Sequence, residues 1–112
     1  MYNLSIPAML KSYIDVIVRP NRTFAIVEGN YQGLVQGKEM LVVTARGSDF
    51  RLGSKLAPLD FQKPYLRAIF NFIGITNIQF VNANGLNVGL RSQSLAEAQE
   101  TLNKLAINWL NV

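Results

Sequence analysis

Glu39-Met40-Leu41-Val42-Val43-Thr44-Ala45 is the stretch that most restricts what this chain can fold into. It is short, nearly all apolar and β-branched at its centre. Such a run reads as a parallel strand covered on both faces. A parallel neighbour needs a crossover, usually a helix. The sequence supplies both. A helix is predicted over about 60–73, stopped by Gly74, and a second strand over 78–83, ended by Asn84-Gly85. Strand, helix and strand in that order predict a right-handed parallel crossover and an α/β fold.

A first helix is predicted over 8–19, with Pro7 suited to its start and Pro20-Asn21 to its end. Leu10, Tyr13, Ile14, Ile17 and Val18 fall on its apolar face. Residues 23–35 read as a hairpin-like excursion turning at Glu28-Gly29-Asn30, of the kind that covers a site or contacts a partner. Asp60 is expected to cap the second helix, which is apolar nearly all round and so expected to be buried. Ser94-Leu95-Ala96-Glu97 reads as a capping box opening the last helix. Leu95, Ala98, Leu102, Leu105, Ala106, Trp109 and Leu110 are its expected core stripe.

Several function classes are excluded by composition. The 112 residues include no Cys and no His, which removes disulfides, thiol catalysis and a Ser-His-Asp triad. The acidic residues form no close pair with catalytic spacing, and no metal site is expected. The 11 basic and 7 acidic residues are scattered, with no stripe for nucleic acid. No apolar run reaches the roughly 20 residues of a membrane span. No signal peptide is visible at the start, so a cytoplasmic location is expected. Two segments carry ligand-binding character. Met1-Tyr2-Asn3-Leu4 is a polar turn at the mouth of a helix, offering backbone N–H groups and an amide side chain to a flat polar ligand. Arg46-Gly47-Ser48-Asp49 follows the C-terminal end of the buried strand, where open α/β sheets bind ligands.

Met1-Tyr2-Asn3-Leu4-Ser5-Ile6-Pro7-Ala8 resembles the M-Y-N-[FL]-x-I-P-A motif of the FMN-dependent NADH azoreductases. These are flavodoxin-like NAD(P)H quinone reductases, a group also described as acyl carrier protein phosphodiesterases. Further blocks agree in order. Thr23-Phe24 opens a "TF…G" excursion that closes at Gly33-Leu34 and Gly37-Lys38. Val42 to Gly47 is similar to the family's strand followed by T-x-R-G-G. Phe61 to Arg67 and Phe72 to Thr76 are similar to its Q-x-P-Y-L-R and F-I-G-I-T helix. The family more often has Ser where Ala45 stands and Gly where Ser48 stands.

The resemblance implies a flavodoxin-like three-layer fold with a parallel sheet, of which residues 1–112 are the C-terminal part of a single domain. The half carrying the first three strands and the phosphate-binding loop is expected to precede it. FMN and NADH are the implied cofactors, and quinones and azo compounds the implied acceptors, reduced by two electrons through the flavin. Met1, Tyr2, Asn3 and Leu4, with Ala45, Arg46, Gly47 and Ser48, are the implied flavin-binding residues, two sides of one cradle. Tyr31, Phe50 and Phe61 are candidates for a pocket taking flat aromatic substrates. The implied assembly is a homodimer with the site at its interface. By itself the polypeptide is expected to be dimeric or aggregation-prone, and to bind FMN weakly or not at all. Two other classes stay open: a non-catalytic dimerisation fragment, and an acyl carrier protein phosphodiesterase. The second is disfavoured because the chain supplies neither metal ligands nor a strong base cluster.

Overall fold

The computed structural model describes residues 1–110. In chain order the elements are α1 (Ala8–Ile17), β1 (Phe24–Val27), β2 (Asn30–Gly33), β3 (Glu39–Ala45), α2 (Gln62–Phe72), β4 (Asn77–Ala83) and α3 (Arg91–Leu110). The predicted order of elements is the one observed. The chain divides into two compact units. One comprises residues 1–41 and 61–79, the other residues 42–60 and those from Phe80 onward, with β3 and β4 each running through both.

β3 and β4 form a two-stranded sheet. Asn77 Nδ2 donates to Glu39 Oε1 at one end, and Thr44 Oγ1 donates to Asn82 Oδ1 at the other. The numbering rises together along both strands, so the pair is parallel, as the strand–helix–strand order predicts. The expected burial of β3 on both faces is not found: Val43, at its centre, is 56% exposed. Among the described residues β3 has one strand neighbour, and one neighbour cannot cover it.

In the first unit the core is Ile14, Leu66, Phe70, Ile73 and Ile75. α1 ends two residues before its predicted limit, because Thr23 bonds back to its last turn. Thr23 Oγ1 donates to the Ile17 carbonyl at 2.7 Å and accepts the Arg19 N–H at 2.9 Å. Tyr13, assigned to the apolar face, is exposed. α2 buries one face, Gln62, Leu66 and Phe70, spaced four apart, rather than its whole circumference. Asp60 does not cap it; the N-cap is Phe61, with no side-chain hydrogen bond.

β1 and β2 pair antiparallel from Phe24↔Gly33 to Val27↔Asn30. The connecting residues Glu28 and Gly29 have φ of 52° and 79°, the two-residue turn that matches strand twist. Phe24, Tyr31 and Phe72 stack at tilted angles with centroids 4.8–6.0 Å apart. The hairpin's return meets the end of α2 closely. Val35 N–H donates to the Ile73 carbonyl at 2.8 Å, and a Cβ on Gly33 would lie 2.3 Å from the Gly74 nitrogen.

The second unit has Phe50, Val81 and Ala83 in its core. α3 starts at Arg91, three residues before the predicted capping box. Ser94 is instead buried, and its Oγ donates to the Asn84 carbonyl at 2.5 Å. Leu95, Trp109 and Leu110, assigned to a core stripe, are exposed. Ala98, Leu102 and Leu105 of the same stripe are half-buried, so the stripe is covered only in part.

Candidate functional site

β3 delivers the chain into a corner at residues 46–48. The Arg46 N–H continues the sheet, donating to the Ala83 carbonyl at 2.8 Å. The three following carbonyls are all fastened by one loop. Leu86 N–H donates to the Arg46 carbonyl at 3.1 Å, Asn87 N–H to Gly47 at 2.8 Å, and Gly85 N–H to Ser48 at 2.8 Å. In a planar trans peptide the C=O and the next N–H point opposite ways. The Gly47 and Ser48 N–H bonds therefore point away from the backbone N–H groups of Leu86 and Asn87. Neither donates to any group among the described residues. The corner thus presents a fixed pair of unused donors.

The clamping loop is itself anchored. Gly85 sits at φ 68°, and its carbonyl accepts the N–H groups of Val88 and Leu90, both at 3.1 Å. Asn84 Oδ1 accepts the Phe50 N–H at 3.1 Å. The sequence marks Asn84-Gly85 as a turn, but gives no sign that this turn holds residues 46–48. The loop is the part of the site that sequence reasoning missed.

The guanidinium of Arg46 is turned inward. It is 2% exposed; Nη1 donates to Asp60 Oδ2 at 2.7 Å, and the group lies 5.8 Å from the centroid of the Phe50 ring. Its Nε and Nη2 meet no acceptor among the described residues. The donors offered at this corner are thus backbone amides, not an exposed cation. Further along, Arg51 grips Asp49 through its backbone N–H, Nε and Nη2 at 2.8–3.0 Å. Those hydrogen bonds hold the Asp49 carboxyl below its ordinary range.

The N-terminal turn belongs to the other unit. Tyr2 and Ser5 exchange backbone hydrogen bonds, Tyr2 N–H to Ser5 O at 3.2 Å and Ser5 N–H to Tyr2 O at 2.8 Å. Between them Asn3 and Leu4 take φ of 45° and 68°. Positive φ is costly for Leu, and such outliers persist only where their surroundings hold them. Here Phe61 N–H donates to the Leu4 carbonyl at 3.0 Å, and Gln62 Nε2 to the Ser5 carbonyl at 3.3 Å. The Asn3 and Leu4 amides donate to no group among the described residues. The turn borders an open groove lined by Tyr2, Asn3, Ser5, Ile6, Pro7 and Met9.

Of the three pocket candidates, Tyr31 and Phe61 are 67% and 55% exposed, whereas Phe50 is buried at 8%. Among the described residues no group of three or more acidic, His or Cys side chains could hold a metal. No helix is long and apolar enough to cross a membrane.

Comparison with known proteins places these turns in context. A family model described as flavodoxin-like fold matches residues 1–106. An FMN-dependent NADH:quinone oxidoreductase of Nostoc punctiforme is 53% identical over 110 residues, covering 97% of this chain and 54% of that protein. The FMN-dependent NADH:quinone oxidoreductase of Legionella pneumophila is 46% identical, over 94% of this chain and 52% of its own length. A crystal structure of an FMN-dependent NADH-azoreductase from Bacillus anthracis, in complex with FMN, superposes with a TM-score of 0.89. It shares 31% identity over 97% of this chain and 52% of that one. The chain spans about half the length of the curated relatives it matches. With the family model matched from the N-terminal turn almost to the end of α3, the chain belongs to the flavodoxin-like fold family.

Proposed function

We propose that this chain forms part of an FMN-dependent oxidoreductase that transfers two electrons from NADH to quinones or azo compounds. The observation that carries this reading is the corner at Gly47-Ser48. Its carbonyls are tied down by residues 85–87 and its two amides are left free, a donor pair set before any ligand arrives. Donors held in place favour a group that gains negative charge, as the pyrimidine side of a flavin does on reduction. Met1, Tyr2, Asn3 and Leu4 form a second flavin-binding turn in this reading, supported by the free amides at the two positive-φ residues. FMN, when bound, supplies the hydride and electron chemistry; the protein binds, orients and shields it. No His or Cys is needed for that division of labour.

The acceptors are flat aromatic molecules, with the exposed rings of Tyr31 and Phe61 as stacking surfaces. The assembly is a homodimer. Met9, Tyr13 and Val16 support this, an exposed apolar stripe along one face of α1 next to the N-terminal turn. Its compartment is the cytoplasm, in keeping with a chain that contains no cysteine.

The test is a titration with FMN of the purified chain, alone and combined with the half of the domain expected to precede it, followed by flavin fluorescence and by oxidation of NADH in the presence of a quinone. Saturable quenching is the expected result. FMN fluorescence left unchanged at high micromolar concentration by the chain combined with the half of the domain expected to precede it sinks the reading. Light scattering tests the homodimer, and Tyr13→Lys is expected to shift a dimer towards monomer.

A further inference from the structure

Gly47 does not occupy a backbone conformation that requires glycine, since its φ is not positive. What a side chain there would meet is Asn87. A Cβ built on Gly47 would lie 2.6 Å from Asn87 Nδ2 and 3.3 Å from its Cγ. The carboxamide of Asn87 is thus laid across the glycine, on the residue whose own N–H is one of the two unused donors. Asn87 is tied in place by its backbone, through its N–H to the Gly47 carbonyl. Its side-chain amide bonds to nothing among the described residues, and the residue is exposed.

We infer that Asn87 is a third ligand-binding group of this corner, donating from Nδ2 to a carbonyl on the ring edge that the Gly47 and Ser48 amides meet. The inference rests on the flavin reading of that corner. The chemistry is specific: a neutral amide donor beside two backbone donors suits a carbonyl or an anionic ring nitrogen, and a carboxylate at the same place would repel either. It also explains why glycine stands at position 47. A methyl group there would push the carboxamide aside without straining the backbone.

The experiment titrates FMN into the full chain and into Asn87→Ala, Asn87→Asp and Gly47→Ala, with thermal unfolding measured in parallel. Loss of one neutral hydrogen bond predicts FMN affinity about five- to tenfold weaker for Asn87→Ala. Asn87→Asp is expected to lose more than Asn87→Ala. Gly47→Ala is expected to lose about as much as Asn87→Ala, and the double variant no more than either. Melting temperatures are expected to stay unchanged for the two Asn87 variants. If the unaltered chain binds FMN and both Asn87 variants bind it equally well, the inference falls while the flavin reading stands. Affinity losses that follow an equal loss of thermal stability in both Asn87 variants make Asn87 structural and also overturn it. If the unaltered chain binds no FMN even when combined with the half of the domain expected to precede it, the flavin reading fails, and this inference with it.

Discussion

Arg46 and Asp60 meet in a buried ion pair, with Nη1 2.7 Å from Oδ2 and the arginine 2% exposed. Sequence patterns give the two residues unrelated surface duties, one at a ligand-binding loop and one as a helix cap. The structure joins them because the corner after β3 and the loop before α2 pass close to each other. A charge this deep is tolerable only with its counter-charge in contact.

Removing the cation alone leaves the Asp60 carboxylate, 11% exposed, beside a void. Arg46→Ala is expected to destabilise the fold by about 3–5 kcal/mol. Arg46→Lys keeps the charge but loses the planar group facing Phe50, and is expected to fall between that variant and the unaltered chain. Urea unfolding monitored by the single Trp109 measures both. A loss below about 1 kcal/mol for Arg46→Ala would show the pair to be worth no more than a surface bridge.

Leu4 at φ 68° separates strain from stability. A β-branched residue tolerates that conformation worse than Leu, whereas Asn tolerates it well. Leu4→Val is expected to cost about 1–2 kcal/mol and to weaken FMN binding. Leu4→Asn is expected to keep or slightly raise the melting temperature. Equal stability of the two variants would mean that the turn relaxes freely.

The hairpin offers a pair of opposed changes. Glu28 holds a positive-φ position in a turn that Asn-Gly fills best, so Glu28→Asn is expected to add a few tenths of a kcal/mol. Gly33→Ala puts a methyl group against the Gly74 backbone, which cannot rotate away, and is expected to cost about 1–3 kcal/mol or more. Thermal unfolding reads both. A neutral Gly33→Ala would show that the hairpin shifts without penalty.

Asp49 supplies a pH prediction whose sign follows from its grip by Arg51. Its carboxyl is depressed below the ordinary value of 3.8 by hydrogen bonds from the Arg51 side chain and backbone. The contribution is therefore complete above the ordinary carboxylate range and disappears as pH falls through the depressed value. Carboxyl-carbon NMR of Asp49 is expected to show a midpoint below the ordinary one, moving upward in Arg51→Ala. An unchanged midpoint in that variant would remove Arg51 as the cause.

The fold class was legible because the two strand segments and the helix between them carry their patterns locally. β3 falls on residues 39–45 as read, and Asn84-Gly85 ends β4 as read. Burial was less legible. β3 and α2 were expected to be covered on all sides, and α3 along a full stripe. A hydropathy pattern records what a segment can bury, not which neighbours are at hand to bury it. The same limit explains Ser94, whose spacing to Glu97 satisfies a capping pattern while its hydroxyl serves the Asn84 carbonyl, ten residues away.

The sequence by itself determined which elements form, their order, and that residues 46–48 close a strand at the end where α/β sheets bind ligands, because propensity, turn chemistry and strand patterning act over a few neighbouring residues. Only the tertiary structure decided that Arg46 points inward to Asp60, that residues 85–87 take the corner's carbonyls, and that Asn87 fills the space over Gly47. Each of these is a contact between segments at least a dozen positions apart, and its energy depends on where the chain returns, which no local pattern specifies.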